Sequence, residues 1–357
     1  MSDGRAYLRP AGLLWGSDAA EVVTAGDGGF LAGGPVAFTR IEVLLRQEST
    51  VSRSWHGFAD LRGSRDRDIR EGLEKIMAPR RLPFGLDGGR THVMGIVNVT
   101  PDSFSDGGET PDAESAIARG LGQIASGAAI IDIGGESTRP GSDPTPEAEE
   151  LARVVPVIAA LAGGGHAISC DTRRPAVMRA AVAAGARLVN DVTALGHDPG
   201  SIATVRDLGV PAVLMHARGE PRTMQHSPAY DDVALDVFDA LEARIAACDR
   251  EGIDAAQLIA DPGIGFGKTF IHNLELLARM TLFHALGVPL LVGASRKAFI
   301  GAITGERPVG RRVAGSLASA LHLAMQGVQI VRVHDVAETV AALKVFRAAA
   351  HTQRVTS

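Results

Sequence analysis

The sequence predicts a (β/α)8 barrel that follows a separate N-terminal segment. From about residue 91, short apolar runs alternate with amphipathic or alanine-rich stretches, and this unit occurs eight times over about 260 residues. Apolar strands that alternate with helices indicate a parallel sheet covered on both faces, and eight units are the number that closes a barrel. A doubly wound open sheet is the alternative, although such sheets usually have fewer strands.

The elements of the barrel can be placed one by one. The predicted strands are HVMGIVNV, AIIDIGG, AISCDT, LVNDVT, AVLMHA, QLIADPG, LLVGAS and IVRVHD. The predicted helices span residues 111–127, 145–162, 174–184, 201–208, 232–251, 273–286, 310–326 and 336–350. Most helices end near a glycine such as Gly127, Gly209 or Gly327, where a left-handed residue is favoured. The barrel is therefore assigned to residues 91–352, and residues 353–357 form a C-terminal tail.

Residues 1–90 do not show this alternation of apolar runs and amphipathic stretches. They contain both tryptophans, Trp15 and Trp55, one predicted strand (VAFTRIEVLLR) and one charged helix (DRDIREGLEKIMA). We interpret them as a small N-terminal αβ extension of unknown role. We expect it to pack against the side or bottom of the barrel, with regulation or assembly as the alternatives.

Composition indicates a small molecule as the partner. The 357 residues include 45% hydrophobic and only 4% aromatic side chains, and the net charge is −5. This gives no basic field for nucleic acid or an anionic membrane and few rings for stacking on bases. Cys170 and Cys248 have no metal or disulfide spacing, which favours a reducing cytoplasm. We find no export signal and no run of 18 apolar residues that could span a membrane.

Polar residues follow the predicted strands at the edge where barrel enzymes carry their chemistry. The eight strand ends carry Asn98, Glu136-Ser-Thr-Arg139, Asp171-Thr172, Asn190-Asp191, Met215-His216, Asp261, Ser295-Arg-Lys297 and Arg332-Val-His334. A single Asp or Asn after a strand is usually a helix cap or a turn former. Eight such ends together predict a functional site.

The strand-end residues are of two kinds. Those that can pair with the amidine-like edge of a flat heterocycle are Asp171, Asn190, Asp261 and Lys297. Those that can bind an anion with many oxygens are Asn98, Arg139, Arg332 and His334. A heterocycle joined to a diphosphate would use both sets. Without a His or Cys cluster, Mg²⁺ is the expected metal, because it binds through one or two protein oxygens, such as that of Asn98, and substrate phosphates.

The stretch DPGIGFGKT superficially suggests a nucleotide site. A phosphate loop ending at Lys268 and Thr269 requires glycine at position 262, where this chain has proline, and the dinucleotide pattern GxGxxG also fails. We expect its glycines to let the backbone pass close to a ligand, with Phe266 offering a ring face.

The motifs MGIVNVTPDSFSDGG, DIGGESTRPGS, CDT, VND, DPGIGFGKT, GASRKAFIG and IVRVHDV resemble, in this order and spacing, those of the dihydropteroate synthases. These are folate-pathway transferases of the pterin-binding enzyme family and the targets of sulfonamides. The resemblance covers about residues 91–350. It implies condensation of 6-hydroxymethyl-7,8-dihydropterin diphosphate with 4-aminobenzoate by SN1-like loss of diphosphate, with Mg²⁺, in a cytoplasmic homodimer.

The resemblance also implies roles for residues at matching positions. The pterin would be held by Asp171, Asn190, Val192, Met215, Asp261, Phe266 and Lys297. The diphosphate would be held by Asn98, Thr138, Arg332 and His334, with Asn98 also contacting the metal. The aminobenzoate would be held by Phe104, Thr138, Arg139, Pro140 and Ser295. Catalysis would rest on Asp106, Arg139, Lys297, Arg332 and His334, with Asp106 as the weakest assignment.

Two other functions remain open at this point. The first is a pterin-dependent methyltransferase, which shares the barrel and the pterin pocket but has no diphosphate to bind. The basic motifs Ser295-Arg-Lys297 and Arg332-Val-His334 argue against this function, because they are suited to binding an anion. A non-catalytic pterin binder is the second. The late helices GSLASALHLAMQG and ETVAALKVFRAAA could form a dimer face, although any barrel helix is apolar on one side.

Overall fold

The N-terminal extension contains a four-stranded antiparallel sheet with helices beside it. The computed structural model describes residues 4–48, 50–100, 113–137, 142–219, 224–225 and 227–350. The strands are β1 (Arg5–Leu14), β2 (Gly29–Phe30), β3 (Ala37–Gln47) and β4 (Thr50–Gly57), and the helices are α1 (Gly16–Ala25), α2 (Phe58–Leu61) and α3 (Arg67–Met77). Strand β3 is central and pairs with β1 on one side and with β2 and β4 on the other.

The predicted strand and helix of this extension are confirmed as β3 and α3. Helix α3 begins where the Asp66 side chain accepts hydrogen bonds from the backbone N–H groups of Asp68 and Ile69, which satisfies two free donors of the first turn. Its buried residues, Leu73 and Ile76, lie three apart and therefore on one face.

The second sheet is a closed parallel barrel. Its strands are β5 (His92–Asn98), β6 (Ile130–Gly134), β7 (Ile168–Asp171), β8 (Leu188–Asp191), β9 (Ala212–Met215), β10 (Leu258–Asp261), β11 (Leu291–Val292) and β12 (Ile330–Val333). Neighbours pair in the order β10-β9-β8-β7-β6-β5-β12-β11, and a parallel bridge from Ala260 to Leu290 joins the two ends. This closure confirms the barrel and excludes the open sheet.

The barrel helices agree broadly with the sequence, with two corrections. They are α4 (Ala113–Ala125), α5 (Glu147–Gly163), α6 (Pro175–Ala183), α7 (Ser201–Leu208), α8 (Val233–Arg250), α9 (Phe270–Ala278), α10 (Ala298–Thr304), α11 (Val313–Met325) and α12 (Val336–Ala350). The predicted helix 273–286 is instead α9, which the Thr269 hydroxyl caps, followed by a 3-10 segment, Met280–Leu286. Helix α10 was not predicted. None of the helices in the described ranges is both long and apolar enough to cross a membrane.

The bottom of the barrel is closed by the segment that connects it to the extension. One layer of the barrel interior consists of Met94, Ile130, Leu188, Val213, Ile259, Leu291 and Ile330. Phe84 and Leu86 of the connecting segment pack against this layer. The His92 ring also contacts the backbone oxygen of Asp87 at 2.7 Å, which holds the segment against the first barrel strand.

The extension itself packs against the side of the barrel, as expected. The Tyr7 hydroxyl donates to Asp239 of α8, and its ring meets the ring of Phe238 edge to face, 5.6 Å between centroids. Thr281 donates through its hydroxyl to the Pro10 carbonyl at 2.7 Å. Because one hydrophobic cluster includes residues of both sheets, the division of the chain at residue 90 remains a prediction.

Deletion of residues 1–88 is expected to make the chain insoluble. The deletion would uncover Phe238 and Phe283, which are 4% and 0% exposed, and large exposed apolar patches promote association. The measurement is the soluble fraction after expression beside the full chain. A soluble truncated chain with full turnover would show that the extension is dispensable.

Candidate active site

The carboxyl ends of the barrel strands surround one cavity. It is lined by Ile96, Asp171, Asn190, Val192, Met215, Asp261, Ile264, Phe266, Gly293, Ser295, Lys297, Arg332 and His334. The structure therefore brings together every predicted pterin residue, together with Ser295, Arg332 and His334. The cavity lining also includes Ile96, Ile264 and Gly293, which were not predicted. They are apolar residues in strands and loops, and nothing in the sequence distinguishes them from core residues. Phe104, Asp106, Thr138, Arg139 and Pro140 lie outside the described residues.

Asn98 lies at the end of β5, and Asp171 lies at the end of β7. The two side chains are close together although strand β6 runs between them. The strand between them contributes Gly134, which pairs with Asn98 on one side and Asp171 on the other. A Cβ added to Gly134 would lie 3.6 Å from the Asn98 amide oxygen and 3.5 Å from the Asp171 Cβ. Since glycine leaves this space open, the amide oxygen and the carboxylate border the same gap.

A buried ion-pair network joins the predicted pterin residues to the predicted anion-binding residues. Arg332 donates from Nε to Asp132 Oδ2 at 2.6 Å and from Nη2 to Asp171 Oδ2 at 2.8 Å. Asn190 donates to the same Asp132 oxygen at 2.9 Å. Asp132 is 0% exposed, so it holds Arg332 and Asn190 in place and is itself out of a ligand's reach.

Sequence reasoning missed Asp132. The available signal was a carboxylate in the middle of the apolar run AIIDIGG, because a charged residue in a buried strand needs a partner.

Two carboxyl groups of the cavity have raised pKa values. Burial raises the pKa of Asp261 from 3.8 to about 6, against the hydrogen bond that its Oδ1 accepts from the Gly263 N–H at 2.7 Å. Burial also raises the pKa of Asp171, and the Arg332 guanidinium opposes this change. A ligand edge that donates hydrogen bonds to these oxygens would favour the ionised form.

The basic groups are shifted in the opposite direction. Burial, aided by Arg332, lowers the pKa of Lys297 to about 8 and that of His334 to about 3. The His334 ring is therefore neutral at pH 7 in the free chain, and its Nδ1 lies 3.1 Å from the Ser295 hydroxyl. His334 was grouped with the charged anion binders, but here it is a neutral hydrogen-bonding group.

Contacts of Arg296 with α11 and with the residue before α12 fix the backbone that carries Ser295 and Lys297. Arg296 has a left-handed backbone (φ 57°), which is costly for a residue with a side chain. Its guanidinium forms a bidentate pair with Asp335, and its N–H donates to Ser316 at 2.9 Å. With Arg296 held away, Ser295 and Lys297 on either side of it both line the cavity.

Two glycines of the glycine-rich loop lie close to protein backbone, and the expected approach of this loop to a ligand stays a prediction. A Cβ at Gly263 would lie 2.0 Å from the His216 carbonyl oxygen, and one at Gly267 would lie 2.2 Å from that of Arg218. Lys268, only 2% exposed, donates to the Phe266 carbonyl at 3.0 Å and is not positioned for a phosphate. Phe266 does offer a ring face, with the Lys297 ammonium 4.1 Å from its centroid.

Glu136, another strand-end residue, forms structural contacts after strand β6. It pairs with Arg173 (3.1 Å) and Arg174 (3.0 Å) and accepts from the Thr145 N–H at 3.1 Å. The two ends of the stretch 136–145 are thereby joined. These contacts fix the described residues on either side of the stretch 138–141.

Comparison with known proteins decides the family. The sequence model of the family described as Pterin binding enzyme matches residues 94–334. The chain belongs to the pterin binding enzyme family. The dihydropteroate synthase of Escherichia coli (strain K12) is 48% identical over 264 residues, which cover 74% of this chain and 93% of that protein.

Solved structures agree. Xanthomonas albilineans dihydropteroate synthase with 4-aminobenzoic acid is 50% identical, with a TM-score of 0.71, over 75% of this chain and 96% of that one. The same enzyme in complex with 7,8-dihydropteroate gives 48% identity, a TM-score of 0.69 and coverage of 75% and 97%. The chain is an enzyme of this type, a transferase of folate biosynthesis. These relatives do not support the methyltransferase alternative.

Proposed function

We propose that the strand-end cavity condenses 6-hydroxymethyl-7,8-dihydropterin diphosphate with 4-aminobenzoate, giving 7,8-dihydropteroate and diphosphate. The observation that supports this proposal most strongly is that two buried carboxyl groups line the same cavity as Lys297, Arg332 and His334. The aminobenzoate and dihydropteroate complexes of the Xanthomonas albilineans enzyme support both the substrate and the product.

The polar groups of the cavity match a pterin ring. Asp171 and Asp261 would accept hydrogen bonds from the ring N–H and amino groups, while Lys297 would donate to the ring carbonyl. Asn190 is held by Asp132 and would present its amide oxygen to the ring. Val192, Met215 and Phe266 would cover the ring faces.

The leaving diphosphate would depart toward Arg332 and His334. The bond from the exocyclic methylene carbon to oxygen breaks, and its electron pair leaves on diphosphate. The aminobenzoate nitrogen then forms the new carbon–nitrogen bond and loses a proton. Asp171 and Asp261 favour the intermediate pterin cation, and positive charge at the leaving group lowers the barrier. Proton acceptance by Asp106 and aminobenzoate contacts by Phe104, Thr138, Arg139, Pro140 and Ser295 remain predictions.

Mg²⁺ fits this site as a metal carried by the diphosphate. The described residues contain no group of three or more His, Cys, Asp or Glu side chains that could hold a resident metal. The Asn98 amide oxygen next to Asp171 offers one of the one or two protein oxygens through which a phosphate-bound Mg²⁺ ion is held. Bound there, the ion would neutralise charge on the leaving diphosphate.

Asn98→Ala is expected to raise the Mg²⁺ concentration needed for half-maximal turnover several-fold, because it removes a metal ligand. Asn98→Asp keeps an oxygen at this position and is the matched control. A magnesium titration of turnover measures both. Equal half-saturation in wild type and Asn98→Ala would exclude Asn98 as a ligand.

Pterin affinity is expected to fall as the pH drops through about 6, the pKa of Asp261. The ionised carboxylate accepts from the ring, and protonation below this pKa removes an acceptor, which weakens binding by at most about tenfold per pH unit for each group. Calorimetric titration between pH 5 and 8 measures this. Affinity that rises toward pH 5 would contradict the assignment.

We further propose a cytoplasmic homodimer. Both cysteines are free and buried, which suits a reducing compartment. Met325 on α11 and Val345 on α12 are 40% and 71% exposed, so these helices present apolar side chains to solvent. Light scattering would distinguish a dimer from a monomer.

Turnover is tested by following diphosphate release with both substrates present. The expected result is release that requires aminobenzoate and is matched one to one by dihydropteroate. Binding of both substrates without release would identify a non-catalytic pterin binder.

A further inference from the structure

The contact between the N-terminal sheet and α8 includes a cluster of polar side chains from both partners, beside the packing of Tyr7 on Phe238. The sheet contributes Arg5, Tyr7 and Arg46, and the helix contributes Asp236, Asp239 and Glu242. Arg46 forms an ion pair with Asp236 and a longer one with Asp239, at 3.3 Å. The Arg46 side chain is only 17% exposed, so water screens this interaction less than a surface pair.

Asp236 also holds the turn that leads into α8. Its Oδ2 accepts from the backbone N–H of Asp231 at 3.0 Å, while Oδ1 faces Arg46. Asp232, which follows Asp231, caps the N-terminus of α8 and pairs with Arg279 at 2.7 Å. The turn at residues 230–232 is therefore fixed both to the barrel and, through Asp236, to the extension.

Tyr230 connects this turn to the wall of the cavity. Its hydroxyl donates to the Gly267 carbonyl at 2.8 Å. Gly267 has a left-handed backbone, and a Cβ added to it would lie 2.2 Å from the Arg218 carbonyl oxygen, so the two backbone segments pass close to each other. The preceding residue, Phe266, lines the cavity. Contacts thus run without a break from Arg46 to the pterin pocket.

We propose that the N-terminal extension is a positioning element for the pterin pocket. Arg46 acts through Asp236 on the 230–232 turn, and Tyr230 then sets the place of the Gly267 carbonyl and of the Phe266 ring. Arg46 touches no substrate and is a positioning residue. The identity of the ligand as a pterin rests on the proposed function.

Arg5 provides a matched control on the same interface. It pairs with Asp239 and Glu242, further along α8 than Asp236, whereas only Asp236 among these acids also accepts from the turn. If the interface acted only through stability, loss of either arginine would have similar consequences. A positioning role predicts that only the loss of Arg46 changes pterin binding.

The experiment compares the full chain with Arg46→Ala, Arg5→Ala, Tyr230→Phe and the double variant Arg46→Ala/Tyr230→Phe. Calorimetry measures the affinity for 6-hydroxymethyl-7,8-dihydropterin diphosphate, and steady-state kinetics gives the KM for 4-aminobenzoate. We expect Arg46→Ala and Tyr230→Phe each to weaken pterin affinity about fivefold with the aminobenzoate KM unchanged. The double variant should be no weaker than either single variant, since both interrupt one series of contacts. Arg46→Lys should restore part of the loss.

Equal effects of Arg46→Ala and Arg5→Ala, or additive effects in the double variant, would overturn the inference. If Arg46→Ala does not fold, Tyr230→Phe decides, and unchanged pterin affinity in that variant overturns the inference. Asp261→Asn in the same series separates the two proposals. If it also leaves pterin affinity unchanged, the pterin site itself is misplaced.

Discussion

Arg332→Ala is expected to lower kcat/KM by about 10³-fold, the largest effect of any single substitution proposed here. The guanidinium faces the cavity and would neutralise the departing diphosphate. Its removal also leaves Asp132, which is 0% exposed, and Asp171 without their cation. Breaking a buried ion pair from one side costs about 3 kcal/mol of unfolding free energy. The measurements are steady-state kinetics and denaturant unfolding.

Arg332→Lys separates the two consequences. Lysine keeps a positive charge for the diphosphate but cannot reproduce the two directed hydrogen bonds to Asp132 and Asp171. Turnover should therefore recover in part. Near-normal kcat/KM in a folded Arg332→Ala protein would exclude the leaving-group role.

Asp261→Asn is expected to weaken pterin binding by about 10- to 100-fold, because a hydrogen bond to a charged acceptor becomes one to a neutral amide that also presents donors. The side chain keeps its shape, so the KM for 4-aminobenzoate should change little. Asp254→Asn, in the turn before the opposite end of the same strand, is the matched control and should leave the affinity intact.

Calorimetric titration of the pterin diphosphate measures this prediction. The raised pKa of Asp261 adds a second observable, because the fall in affinity below pH 6 should be smaller in the asparagine variant. A variant that binds pterin as tightly as wild type would show that the ring does not lie against Asp261.

The barrel and most of its site could be predicted because they depend on local pattern. Short apolar runs indicate buried strands, and the polar residue that follows each run indicates where the strand ends. Asp171, Asn190, Asp261, Lys297 and Arg332 were therefore identified without knowledge of their contacts, and the structure places all five around one cavity.

Contacts between distant residues could not be predicted in this way. Asp132 and Arg332 are 200 positions apart, and nothing in either local sequence indicates that they pair. The glycines of DPGIGFGK indicate a crowded backbone, but the sequence does not show that Gly263 and Gly267 lie against the carbonyl groups of His216 and Arg218. The neutral state of His334 likewise follows from burial and from nearby cations, which only the folded chain brings together.

The most direct test of the account is a crystal structure of the chain with bound 6-hydroxymethyl-7,8-dihydropterin diphosphate. We predict that the ring lies within hydrogen-bond distance of Asp171, Asn190 and Asp261, with the diphosphate next to Arg332. A pterin ring found elsewhere, such as in the groove lined by Arg53, Tyr230 and His272, would contradict it.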